Sequence, residues 1–274
     1  MKTRIITAVV GIVVLIGVLF TFDTLIFNLV ITAITLIALH EIYAALGFEK
    51  QGWPLFGVLV PYTFLIMLSS YELCRRLVMP ASFLVVLFYA IYLVVRNGTI
   101  SYQKASGLAM FSGIVIFCFY SFIRLKELLP VEKFGYDAIF FILLILCFAW
   151  GGDTCAYFAG RAFGKHKLCP VVSPKKTVEG AIFGVIGGTL AGLVCRAVFV
   201  YVFHMQMPGI PATIALGLIG SAAGEIGDLS ASLLKRHSGI KDYGYIFPGH
   251  GGVMDRFDSV IFTLIVMYCY TLVL

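Results

Sequence analysis

The sequence predicts an all-α polytopic integral membrane protein of about nine transmembrane helices, with its N-terminus in the cytoplasm and its C-terminus on the opposite side. Three observations carry that prediction. Of 274 residues, 61% are hydrophobic and only 12% are charged, whereas soluble domains carry roughly half apolar and a quarter charged residues. Mean hydropathy is +1.01. Apolar runs recur at regular intervals without the alternation of a lipid-facing barrel strand, and a span that is not part of a barrel must be helical to satisfy its own backbone. Together these exclude an ordinary soluble domain, a disordered chain and a secreted disulfide scaffold. The 7 cysteines include no Cys-x-x-Cys pair and mostly lie in or beside apolar runs. There they act as small apolar residues rather than as a zinc or redox site.

The first run, residues 5–22, follows Met1-Lys2-Thr3-Arg4 and ends without a small-x-small cleavage site, so it reads as an uncleaved span rather than a signal peptide. Further spans are expected at 25–46, 53–70, 80–95, 105–123, 138–160, 178–203, 212–234 and 260–274. A crossing takes about 20 residues, and the fourth and ninth runs fall slightly short of it. Residues 1–137 read as N-terminal membrane helices, and 138–274 as a catalytic region with a cytoplasm-facing site. With the N-terminus inside, 14 Lys and Arg residues fall in cytoplasmic segments and 5 on the other side, with Arg196 inside the seventh span. That asymmetry supports both the span count and the orientation.

Two spans depart from the pattern. The sixth reads Gly151-Gly152-Asp153-Thr154 in its middle, and the eighth carries Glu225, Asp228, Ser230 and Ser232. Neither apolar half is long enough to cross alone, so each helix is expected to continue through its polar half. Ionisable groups at that depth are expensive and mark functional sites by default. Seven of the 14 acidic residues lie between Asp153 and Asp258. Glu225 and Asp228 are three apart and share a helix face, as do Asp255 and Asp258. Paired carboxylates at two helix ends can cage hard cations, which take oxygen ligands, and Mg²⁺ commonly keeps substrate phosphates among them.

The cations follow the acids. Lys175-Lys176, Lys235-Arg236, Lys241 and Arg256 occupy the same two cytoplasmic segments. A basic loop alone would attract anionic headgroups, and Arg161, Lys165 and Lys167 are read that way. Cations interleaved with carboxylates point instead to a metal–polyphosphate site. Pro248-Gly249-His250-Gly251-Gly252 adds a loop with little side-chain bulk, where backbone N–H groups can approach a phosphate. His250 is equally compatible with a phosphate contact and with a plain loop role. His40-Glu41 reads equally as helix-end solvation or as support for the site. The abundant Phe and Tyr read as packing and interfacial anchoring, and no nucleic-acid partner is expected.

Residues 232–258 run Ser-Leu-Leu-Lys-Arg-His-Ser-Gly-Ile-Lys-Asp-Tyr-Gly-Tyr-Ile-Phe-Pro-Gly-His-Gly-Gly-Val-Met-Asp-Arg-Phe-Asp. This resembles the signature of the phosphatidate cytidylyltransferases (CDP-diacylglycerol synthases). Asp153-Thr154-Cys155-Ala156-Tyr157-Phe158-Ala159-Gly160, then Ser173-Pro174-Lys175-Lys176-Thr177 and Glu179-Gly180, resemble the family's middle motif, and Gly227-Asp228 also fits. The motifs cover residues 153–259. Two positions depart from the common pattern: Val178, where many members have Trp, and Ala231, where many have Glu. The second removes one candidate carboxylate.

The resemblance implies transfer of CMP from CTP to phosphatidate, giving CDP-diacylglycerol and pyrophosphate in phospholipid biosynthesis. It also implies Mg²⁺ in a two-metal centre and a homodimer, while the compact chain and the lack of a transit peptide lead us to expect a bacterial plasma membrane. It implies Asp228, Asp255 and Asp258 as metal ligands, with Glu225 and Asp153 as further ligands or supporting groups. Lys175, Lys176, Lys235, Arg236, Lys241 and Arg256 would hold phosphates. Ser232, Asp242 and His250 would complete the site, and Gly251 and Gly252 would permit backbone approach. Three other readings remain open: a CTP-dependent polyprenol or phytol kinase, an ion-coupled transporter, and a catalytically dead relative with a scaffold role, against which stands that only the carboxylate at Ala231 is missing from the motif. The transporter reading accounts for Asp153 and Glu225 but not for cations gathered around a glycine loop.

Overall fold

A computed structural model describes residues 2–48, 52–96, 98–135, 137–205 and 208–273. Lys50, one of the cytoplasmic charges counted above, lies outside the described residues, as does the terminal Leu274. The fold is mostly helical. Its elements are α1 (Lys2–Phe20), α2 (Leu25–Ala45), α3 (Trp53–Met67), α4 (Glu72–Val95), α5 (Tyr102–Leu128), α6 (Val131–Phe134), α7 (Asp137–Leu146), a π-helical turn (Cys147–Gly151), α8 (Gly152–Phe163), β1 (Lys167–Cys169), β2 (Ser173–Thr177), α9 (Val178–Tyr201), α10 (Ile210–His237) and α11 (Met254–Thr271).

Each expected apolar run corresponds to a helix. Among the described residues, six helices are long and apolar enough to cross a membrane. The apolar stretches Val9–Phe20 and Trp53–Met67 are shorter, and α11 carries Asp255, Arg256 and Asp258 within its 18 residues. The sixth span runs continuously from Asp137 to Phe163 through its polar middle, and the eighth is one unbroken helix of 28 residues. One element departs from the all-α expectation. Lys167–Cys169 and Ser173–Thr177 pair as a short antiparallel hairpin, closed by a turn at Pro170 that the apolar pattern could not register.

The helices fall into two compact units: Met1–Ile123 with Ser238–Asp255, and Arg124–His237 with Arg256–Leu274. In the first unit, polar bonds knit α2, α3 and α4 together. Asn28, 1% exposed, donates from Nδ2 to the Met67 carbonyl at 2.8 Å, and the Tyr89 hydroxyl donates to the Leu55 carbonyl at 2.8 Å. Such bonds hold apolar helices whose mutual attraction is weak in lipid. Tyr89 is the one buried residue of α4, and beyond the charged first turn the rest of that helix is exposed or half-buried and mostly apolar.

In the second unit, glycine sets the spacing. Gly180, Gly184, Gly188 and Gly192 recur every four residues along α9 and are all buried. A Cβ at Gly184 would stand 2.9 Å from Ala156 Cβ and 3.2 Å from the Gly152 carbonyl, and one at Gly188 would stand 2.3 Å from Ser221 Oγ. This small-xxx-small stripe lets α8, α9 and α10 approach backbone to backbone. At the π-helical turn the Phe148 carbonyl accepts from Ser221 Oγ at 3.1 Å. Farther along α10, a Cβ at Gly227 would meet the Asp258 carbonyl at 2.4 Å. These contacts bring the polar parts of α8, α10 and α11 together.

Candidate active site

The centre of the second unit is an ion cluster around Lys176. This residue is the penultimate one of β2, beside Thr177, which caps α9 by accepting from the Gly180 N–H at 3.1 Å. Its ammonium lies 2.6 Å from Glu225 Oε2 and 2.7 Å from Asp228 Oδ2, with 20% of the side chain exposed. Glu225 and Asp228 are one helical turn apart on α10 and face the same way, as their spacing predicts. Burial opposes the ammonium's charge, but the Asp228 and Glu225 carboxylates outweigh it and hold its pKa above the usual lysine value. Ser232 Oγ, one further turn along, donates to Asp228 Oδ1 at 3.4 Å.

Two more carboxylates complete the group. Asp153 Oδ2 accepts from Ser259 Oγ at 2.8 Å. Asp258 is buried, accepts from the Ser259 N–H at 3.0 Å, and lies within electrostatic reach of Asp228, Asp153 and Lys235. Lys235 is buried as well. Beside the cluster opens a cavity of ≈ 380 Å³, lined by the carboxylates Asp153, Glu225 and Asp228 and by the cations Arg161, Lys175 and Lys176. Tyr157 and Gly160 also line it. Nearby, the Glu179 carboxylate accepts from the Lys165 N–H at 3.1 Å and pairs with His166 Nδ1 at 2.6 Å, which ties the start of α9 to the loop between α8 and β1.

By its chemistry alone the donor set suits a hard cation. It is all oxygen, it is acidic, and Glu225 Oε1 is buried with no hydrogen-bond partner, an atom that costs free energy unless something pairs with it. Among the described residues no three His, Cys, Asp or Glu side chains form a ready cation cage. Lys176 stands between Glu225 and Asp228.

The glycine loop belongs to the first unit. Phe247 and Gly251 form a short antiparallel bridge, with the His250 N–H donating to the Phe247 carbonyl at 2.8 Å. Gly249 and Gly251 have φ of +77° and +84°, a region that favours glycine. Asp255 Oδ2 accepts from the Gly252 N–H at 3.0 Å and the Tyr243 N–H at 2.7 Å. Asp255 thus engages the Gly252 N–H within the glycine loop. His250 Nδ1 is buried without a hydrogen-bond partner, while Lys241 and Asp242 are exposed.

Compared with known proteins, residues 2–274 match the cytidylyltransferase family. The chain belongs to that family. It is 33% identical to the phosphatidate cytidylyltransferase of Bacillus subtilis (strain 168) over 271 residues, 98% of this chain and 96% of the relative. It is 44% identical to the phosphatidate cytidylyltransferase of Staphylococcus haemolyticus (strain JCSC1435) over 128 residues, 47% of each chain. The protein of that name from Haemophilus influenzae is 43% identical over 128 residues, 46% of this chain and 43% of the relative.

Within this cytidylyltransferase, the structure gathers Asp153, Lys175, Lys176, Glu225 and Asp228 around one cavity, with Ser232, Lys235 and Asp258 close by in the same unit. Arg236 donates from Nε to the Val172 carbonyl at 3.3 Å, which ties α10 to the hairpin turn. The Arg256 side chain is exposed, and its carbonyl accepts from Trp150 Nε1 at 3.2 Å. Sequence reasoning missed two wall residues. Arg161 was assigned to lipid headgroups, and Tyr157 carried no signal beyond its place in the middle motif. It also left Glu41 undecided. The structure buries that carboxylate at 4% exposure against the glycine loop.

Proposed function

We infer that this protein transfers CMP from CTP to phosphatidate, giving CDP-diacylglycerol and pyrophosphate, in a bacterial plasma membrane with its site on the cytoplasmic side. The observation that carries this reading is the cavity lined by both carboxylates and cations, at the polar ends of apolar helices. A polyphosphate needs cations, the metal that accompanies it needs carboxylates, and a lipid phosphate needs a site near the bilayer surface. The names of the relatives agree with the same reaction.

The chemistry is an in-line substitution. A phosphate oxygen of phosphatidate forms a bond to the α-phosphorus of CTP as the bond to the bridging oxygen breaks, and the electron pair leaves with pyrophosphate. The attacking oxygen is already anionic near neutral pH, so no dedicated base is needed. Lys175 and Arg161 are exposed on the cavity wall and would hold phosphate oxygens. Lys176, kept charged by its two carboxylates, orients Glu225 and Asp228 and presents positive charge to the same space. Lys235, Arg236, Lys241 and Arg256 are assigned to phosphate binding as the motif implies.

Asp228, Glu225, Asp153 and Asp258 would hold Mg²⁺, together with Asp255 as the motif implies. Bound there in pairs, Mg²⁺ would offset phosphate charge and stabilise the leaving pyrophosphate. The protein is taken to act as a homodimer.

The reading is tested with purified protein in liposomes containing phosphatidate. Addition of CTP and Mg²⁺ should release pyrophosphate only when phosphatidate is present. Release of CDP instead would identify a lipid kinase, and ion flux without pyrophosphate would identify a transporter.

A further inference from the structure

Glu41 lies in α2, an otherwise apolar helix of 21 residues, yet its carboxylate makes a specific long-range contact. Oε1 accepts from the Val253 N–H at 2.9 Å, and Oε2 accepts from the Met254 N–H at 2.8 Å. These amides open α11, where the first N–H groups have no partner inside the helix. The next amide upstream, that of Gly252, is taken by Asp255. Three consecutive amides are thus committed to two carboxylates. The fit is tight on two sides: a Cβ at Gly252 would stand 2.3 Å, and one at Gly244 2.6 Å, from Glu41 Oε1. A side chain that merely solvated its own helix end would not need this enclosure, and a buried carboxylate is costly unless it is hydrogen-bonded in this way.

We propose that Glu41 is a positioning residue for nucleotidyl transfer, holding the backbone of Gly252–Met254 so that Asp255 presents its carboxylate in one orientation. The proposal rests on the reading above, in which Asp255 serves Mg²⁺ in a CMP-transferring enzyme. Groups that only orient a metal ligand typically change metal affinity or activity by about 10–100-fold when altered. Glu41→Gln keeps the shape but sets an amide N–H against a backbone N–H, which opens the clamp.

The test uses the full-length protein in liposomes and two readouts: hydrogen exchange of residues 243–256, and the Mg²⁺ dependence of CMP transfer. In Glu41→Gln, the amides of Gly252, Val253 and Met254 should exchange at least about tenfold faster, and the Mg²⁺ needed for half-maximal turnover should rise about tenfold. The KM for CTP at saturating Mg²⁺ should stay close to that of the unaltered protein. Gly244→Ala displaces the same carboxylate from the other side and decides the matter if Glu41→Gln does not accumulate. Asn28→Ala removes a comparably buried bond of α2 and should lower thermal stability without moving either readout. Unchanged loop exchange and Mg²⁺ dependence in a folded, active Glu41→Gln, or an equal shift in Asn28→Ala, would overturn the proposal alone. Absence of CMP transfer by the unaltered protein would overturn the functional reading and this role with it.

Discussion

Asp228 joins the most functions in the smallest space: it pairs with Lys176, accepts from Ser232 and lines the cavity. Asp228→Asn keeps the shape and the Ser232 contact but removes the charge that a cation needs. Turnover should fall by about 100-fold or more, the upper end of what is seen for groups that only support a metal ligand. Chromatographic behaviour and thermal stability should show that the protein stays folded. Asp228, Glu225 and Lys176 were legible in the sequence because a charge inside or beside an apolar run has few bland explanations. Arg161 was not, because it opens a basic loop whose other cations need only headgroups. Glu41 was not, because its partners lie 212 and 213 residues away, and nothing in its own neighbourhood announces them.

The close approach of α8 and α9 depends on the absence of a side chain at Gly184. Gly184→Ala would push a methyl against Ala156 Cβ at 2.9 Å and Glu225 Oε1 at 3.0 Å. Overpacking of this kind typically costs about 1–3 kcal/mol. The thermal midpoint should drop, and activity should drop with it because Glu225 is displaced. Gly113→Ala in α5, where a Cβ meets nothing within 4 Å, should leave both unchanged. The helices themselves were readable from apolar run length, and their continuation through the polar stretches from the shortness of each apolar half. The hairpin at Lys167–Cys169 and Ser173–Thr177 was not, since two strands of three and five residues leave no periodic trace. The π-helical turn was equally silent, since its residues Cys147–Gly151 continue the apolar run before them.

For the protein as a whole, the excess of cations on one side predicts sidedness. Single cysteines introduced as Lys241→Cys and Lys133→Cys into a cysteine-free background should react with a membrane-impermeant thiol reagent from opposite faces. Lys241→Cys should react from the cytoplasmic face; labelling of both from one face would contradict the nine-span topology. The low charge content of the sequence identifies a membrane protein, and the gathering of the few charges around one cavity indicates what it handles there. The most direct test of that claim follows the phosphorus. Purified protein in phosphatidate liposomes with Mg²⁺ is given CTP labelled at the α-phosphorus or, in parallel, at the γ-phosphorus. The account predicts that the α-label enters the lipid as CDP-diacylglycerol while the γ-label leaves as pyrophosphate. Entry of the γ-label into lipid, or of neither label, would contradict it.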